Sequence, residues 1–120
     1  MTDEKRAYDR LAFPAEKKVQ ATFVSTENND VLLSARVLNI SQGGLGLAAV
    51  KGQDVMLAEE NELILQSITG EEKLHCLKGQ AVRVKWILNS EIFENYGVGC
   101  EFVELNAESF ECIGKLCNGG

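Results

Sequence analysis

Two arginines four residues apart, Arg6 and Arg10, stand near the start of the chain, with Lys5 in front of them and Tyr8 between them. In extended backbone this spacing puts both guanidinium groups on one side, roughly 13 Å apart, and in a helical turn it stacks them on one face. Either geometry lets two planar forks converge on one ligand. A guanidinium pairs bidentately with phosphate or with guanine O6 and N7, and its flat face stacks on a base. The plain alternative is a solvated arm whose arginines pair with Glu4 or Asp9.

A second polar group, Asn39-Ile40-Ser41-Gln42-Gly43-Gly44, closes a strand-like run. Asn39 and Ser41 share parity, so an amide and a hydroxyl lie on one face, while Gly43 and Gly44 admit positive φ and a close backbone approach. Together they make a small polar cradle. Taken alone, the segment also reads as a strand-end turn whose Asn and Ser serve its own backbone.

Other chemistry is scarce. The only histidine, His75, falls in a strand-like run beside Cys76, with no glycine-rich elbow or metal-ligand pair near it. The acid pairs Glu59-Glu60 and Glu71-Glu72 read as solvated loops. No catalytic residue, metal site or cofactor is expected, and the chain is not read as an enzyme. Cys76, Cys100, Cys112 and Cys117 form no C-x-x-C pair and read as reduced thiols, the first two buried in apolar runs.

The elements that must hold these residues fit in one domain of 120 residues. Twelve Lys and Arg against 18 Asp and Glu leave a net charge of -6, which excludes a general DNA or RNA binder resting on many phosphate contacts. Residues 1–18 hold five cations and four acids, so any anion bound is small and sits near the N-terminus. No apolar stretch approaches the roughly 18 residues of a membrane span, and Met1 to Arg6 lack a signal-peptide core. A cytoplasmic protein without membrane insertion is expected.

Residues 1–13 are charged and end at Pro14, which disfavours helix at Phe13 and predicts an exposed arm or a short broken helix. Val19, Ala21 and Phe23 share one parity, as do Val31, Leu33, Ala35 and Val37, so two antiparallel strands are predicted around a loop at 27–30. Further strands are predicted at 45–48, 62–68, 74–87 and 96–103, about six in all. The long one alternates Val82, Val84 and Trp86 against Ala81, Arg83 and Lys85. Residues 51–54 read as a loop, and 55–60 as a loop or a helical turn. Asn106 is a suitable N-cap for a terminal helix carrying Phe110, Ile113 and Leu116 or Cys117 at helical spacing. The pattern predicts an all-β fold, a small antiparallel Greek-key barrel plugged or flanked by a short C-terminal helix.

In this order, Arg6-x-x-x-Arg10 and Asn39-x-Ser41-x-x-Gly44 resemble the signature of the PilZ family of bacterial cyclic di-GMP receptors, filling all five of its positions. The resemblance extends to Gly43-Gly44-Leu45-Gly46-Leu47, Gly79-Gln80-Ala81-Val82-Arg83-Val84 and Gly97-Val98-Gly99-Cys100-Glu101-Phe102, and is loosest at 49–61. It implies a six-stranded barrel with the dinucleotide laid on its outer surface. Residues 1–14 would be a ligand-clasping arm, 15–105 the barrel and 106–120 the helix. It further implies that Arg6 and Arg10 contact guanine and phosphate, that Asn39 and Ser41 read the second guanine, and that Gly43 and Gly44 permit close approach. Lys5 and Tyr8 are secondary contacts. One or two ligands per chain and an unknown protein partner follow, with an interaction module that binds no nucleotide as the alternative function.

Overall fold

The computed structural model describes residues 10–25, 32–50, 58–88 and 95–117. The strands are β1 (Arg10–Ala12), β2 (Gln20–Ser25), β3 (Leu32–Ser41), β4 (Gly44–Val50), β5 (Glu62–Thr69), β6 (Ala81–Leu88) and β7 (Asn95–Phe102), followed by helix α1 (Ala107–Cys117). Short 3-10 helices span Ala15–Lys17 and Glu72–Leu77. All pairings are antiparallel, in the order β1-β3-β2-β5-β6-β7-β4, and a further β3–β4 pairing closes the ring. Strands β2 to β7 are therefore the expected six-stranded barrel, and closure removes the free edges that invite aggregation. Strand β1 adds to the end of β3, with Arg10 opposite Ser41 and Ala12 opposite Asn39.

Alternating side chains fill the barrel: Phe23, Leu47, Leu65, Val82, Val84 and Val98 are fully buried. Leu74 and Leu77 of the 3-10 helix Glu72–Leu77 and Ile113 of α1 are buried with them and join the same core. Each such side chain stabilises the fold by about 1.5–3 kcal/mol relative to exposure. Helix α1 starts at the expected cap, Asn106 Oδ1 accepting the Ser109 N–H at 2.7 Å. Its buried side carries Ser109 and Ile113, whereas Phe110, expected in that stripe, is exposed.

Two expectations are corrected. Residues 74–87 are not one strand, because Leu74 and Leu77 bury with a spacing of three on the 3-10 helix before period two resumes at Val82. The Glu71 carboxylate caps that helix by accepting the Lys73 N–H at 3.3 Å, and Gly79, at φ 89°, supplies the left-handed residue that turns the chain into β6. His75 and Cys76 consequently stand exposed on the 3-10 helix, and Cys76 is not a buried strand residue. Secondly, the stretch before Pro14 is not wholly an exposed arm. Arg10–Ala12 pair with β3, and Phe13 is buried with its N–H donating to the Leu38 carbonyl at 2.8 Å. Arm residues 1–9, the loop at 27–30 and residues 51–57 lie outside the described residues.

Candidate functional site

Strict alternation along β3, with Leu33, Ala35 and Val37 inward, would carry Asn39 into the core. A β-bulge prevents it: Val37 pairs with Leu47 and Asn39 with Gly46, leaving Leu38 as the extra residue. Asn39 then faces outward with Ser41, while Ile40 turns in and is fully buried. The same device operates on β6, where Val84 pairs with Cys100 and Trp86 with Gly99, Lys85 being extra. Trp86, expected to share the inward parity of Val82 and Val84, therefore stands outside at 51% exposure.

Between these two side chains run β4 and β7, whose outward positions include Gly44, Gly46, Gly97 and Gly99, with Gly46 opposite Gly99 and Ala48 opposite Gly97. A Cβ on Gly99 would overlap the Trp86 indole, and one on Gly46 would sit 2.8 Å from Asn39 Nδ2. The row Asn39–Gly46–Gly99–Trp86 is thus a floor without side chains, over which an amide leans from one side and an indole from the other. The open groove above it holds about 430 Å³. Arg10, Asn39, Ser41, Gly43 and Gly44 all line it, and so do Trp86, Leu88 and Lys85.

Arg10 and Ser41 are directly opposed across β1 and β3, a relation that sets Cβ atoms about 4.5–5.5 Å apart. The Ser41 hydroxyl accepts the Gly43 N–H at 3.1 Å, so it serves its own turn and still has a proton to donate. Left-handed glycines occur at Gly70 and Gly79, not at Gly43 or Gly44. The requirement at Gly44 is instead close approach of a neighbouring strand, since a Cβ there would strike the Cys100 carbonyl. Gln42 points the other way, its Nε2 donating to the Phe110 carbonyl of α1 at 2.8 Å.

The two cations that line the groove among the described residues differ. Lys85 is held by Glu60 at 2.9 Å and Glu101 at 3.9 Å, and the Glu60 hydrogen bond raises its pKa. Arg10 has no carboxylate partner among the described residues. The apolar floor and indole suit the faces of planar rings, while Arg10, Asn39 and Ser41 offer charge and hydrogen bonds along one side. Among the described residues no group of three or more His, Cys, Asp or Glu could hold a metal. Arg6, Lys5 and Tyr8 lie outside the described residues. Sequence reasoning missed Trp86 and Leu88 as groove residues and, having assigned close approach to Gly43 and Gly44, gave Gly46, Gly97 and Gly99 no role. The available signal was Gly44-x-Gly46 and Gly97-x-Gly99, whose period of two strips one strand face of side chains.

A family model described as the PilZ domain matches residues 4–119, and the chain belongs to that family. No curated relative matches it. Among solved structures it resembles the Bacillus subtilis inhibitor of motility MotI/DgrA with a TM-score of 0.69 at 20% identity, covering 98% of this chain and 51% of that one. The PilZ domain of Escherichia coli YcgR with c-di-GMP gives 0.68 at 12% identity, covering 97% and 91%. The Klebsiella pneumoniae MrkH complex with c-di-GMP gives 0.69 at 16% identity, covering 96% and 52%. These likenesses are of fold, and the chain spans about half the length of the MotI and MrkH chains. No helix among the described residues is long and apolar enough to cross a membrane.

Proposed function

We propose that this chain is a cytoplasmic receptor for cyclic di-GMP that acts as an adaptor. The observation that carries the reading is the convergence of Arg10, Asn39, Ser41 and Gly44 on one groove with a glycine floor. Those are four of the five signature positions, and the fifth, Arg6, precedes β1 by one x-x-x interval. Cyclic di-GMP offers two guanine edges, two ring faces and two phosphates. Arg10 and Arg6 take phosphate and one guanine, Asn39 and Ser41 read the other, and the indole of Trp86 covers a ring face. Lys5 and Tyr8 add charge and stacking from the arm, and Lys5 bears on whether one ligand or a stacked pair is held.

On binding, the N-terminal arm of residues 1–14 clasps the ligand, and the altered surface is read by a protein partner. Calorimetric titration tests the reading. Cyclic di-GMP should bind with micromolar or tighter affinity, about -8 kcal/mol or stronger, and GMP and GTP far more weakly because each fills one half-site. A flat titration well above micromolar protein would overturn it and leave an interaction module without nucleotide.

A further inference from the structure

Two of the four cysteines meet where α1 packs on the 3-10 helix Glu72–Leu77. Both thiols donate to one acceptor, the Lys73 carbonyl, Cys76 Sγ at 3.7 Å and Cys112 Sγ at 3.4 Å. The Cys112 thiol also lies near enough to Cys76 to help raise its pKa. The Ser109 hydroxyl, one turn before Cys112, donates to the Cys76 carbonyl at 3.5 Å and fixes the backbones at the same place. Cys76 is exposed, and Cys112 lines a surface hollow of about 380 Å³ with Lys73, Glu108, Glu111, Lys115 and Leu116. That hollow shares none of the described residues with the glycine groove. The other two thiols are placed differently. Cys100 is buried, which pushes its thiol up to about 12, and Cys117 donates to the Ile40 carbonyl at 3.4 Å.

We propose that Cys76 and Cys112 are a modification site: under peroxide they close into a reversible disulfide that pins α1 to the 3-10 helix. The Cys76 thiolate attacks one oxygen of hydrogen peroxide. The S–O bond forms as the O–O bond breaks, leaving a sulfenic acid and a hydroxide that takes up the proton Cys76 released. The Cys112 thiolate then attacks that sulfur, the S–S bond forms, and the S–O bond breaks to release a second hydroxide, which takes up the proton from Cys112. Two thiols have lost two electrons and two protons, and peroxide has become two waters. Closure requires both sulfurs to rotate off the Lys73 carbonyl to a bonding distance of about 2.0 Å.

Partial desolvation of the sulfur first, and then the Cys112 thiol, raise the pKa of Cys76 above its ordinary value. Thiolate is therefore scarce at neutral pH, so closure is slow, and a high-pKa sulfur leaves slowly in the reverse exchange, so the bond persists. The cross-link encloses β6 and β7 and restrains the unfolded chain accordingly.

The test treats the folded chain with excess hydrogen peroxide, alkylates it, digests it without reduction and maps the peptides by mass. A Cys76–Cys112 linked peptide is expected, reverting to two alkylatable peptides with dithiothreitol, together with a melting temperature roughly 5–15 °C above that of the reduced chain. Cys112→Ser and Cys76→Ser should each lose both effects, and Cys117→Ser should keep both. The proposal is overturned if Cys76 and Cys112 stay alkylatable, stop at sulfinic acid or link to other cysteines. It is equally overturned if Cys112→Ser shows the same rise in melting temperature.

Discussion

An indole laid over a glycine is a contact that depends on both positions, so Trp86 and Gly99 should behave as a unit. Trp86→Ala removes a stacking surface worth about 1–3 kcal/mol per base, a loss of roughly five- to over a hundredfold in cyclic di-GMP affinity. The melting temperature should change little, because half of that side chain already meets solvent. Gly99→Ala displaces the ring and should weaken binding by itself, yet add little in the Trp86→Ala background. Calorimetry on the four proteins of the cycle checks this: additive losses would show that Gly99 does not act through the ring, and an unchanged affinity in Trp86→Ala that the ring does not cover ligand. Arg10→Ala removes charge-assisted bonds worth about 1.5–3 kcal/mol, roughly ten- to over a hundredfold in affinity. Its thermal melt without ligand should match wild type, since Arg10 is exposed and has no acidic partner among the described residues.

At the scale of elements, the bulges decide which side chains reach the groove. Lys85 is the residue without a partner on β7, so deleting it leaves Val84 inward and Trp86 outward in a regular ladder. That deletion should cost about 0.5–3 kcal/mol. Deleting Arg83 instead forces the chain to absorb the bulge and turn Lys85 toward the core, an uncompensated charge costing more than about 4 kcal/mol. Urea melts of the two deletions should rank in that order, and equal losses would contradict the register. The 3-10 helix carries a pH-dependent fastening. Its cap, Glu71, binds Lys17 at 3.1 Å, and that hydrogen bond leads in holding its carboxyl below the ordinary value of 4.5. A depressed pKa gives stability that is present above 4.5 and is lost as pH falls through the folded value. Glu71→Gln should therefore be less stable than wild type by about 0.5–1.5 kcal/mol at neutral pH, with the gap closing as pH falls below 4.5. A gap that is constant with pH would exclude the ion pair as its source.

For the molecule as a whole, closure and plugging should make unfolding a single transition. Ile113→Ala leaves a cavity among fully buried side chains and should lower stability by about 2–5 kcal/mol in one cooperative step by fluorescence and circular dichroism. A two-step melt would mean that α1 stands apart from the barrel. The barrel was legible in the sequence because Val19 to Phe23, Leu33 to Val37 and Val82 to Val84 alternate cleanly, and because Asn106 and Ile113 carry helical signals. The 3-10 helix was not legible, because Leu74, Leu77 and Val82 blend two periods into one apolar run. Nor were the bulges, since a single extra residue leaves no mark in composition and its position is set by the partner strand. Arg10, Asn39 and Ser41 could be picked out by their chemistry wherever they pointed. Trp86 could not, because alternation alone assigns it to the interior.

Gln42 belongs to two neighbourhoods at once: it sits between Ser41 and Gly43 in the groove turn, and its amide holds the Phe110 carbonyl of α1. A bond shared in this way has no sender and no receiver. If an occupant of the groove moves the turn and thereby makes α1 easier to grip by some factor, whatever grips α1 must tighten the groove's hold on its occupant by that same factor. On the proposed function the helix would be a second input, and a partner engaging it would set the nucleotide concentration at which the groove fills.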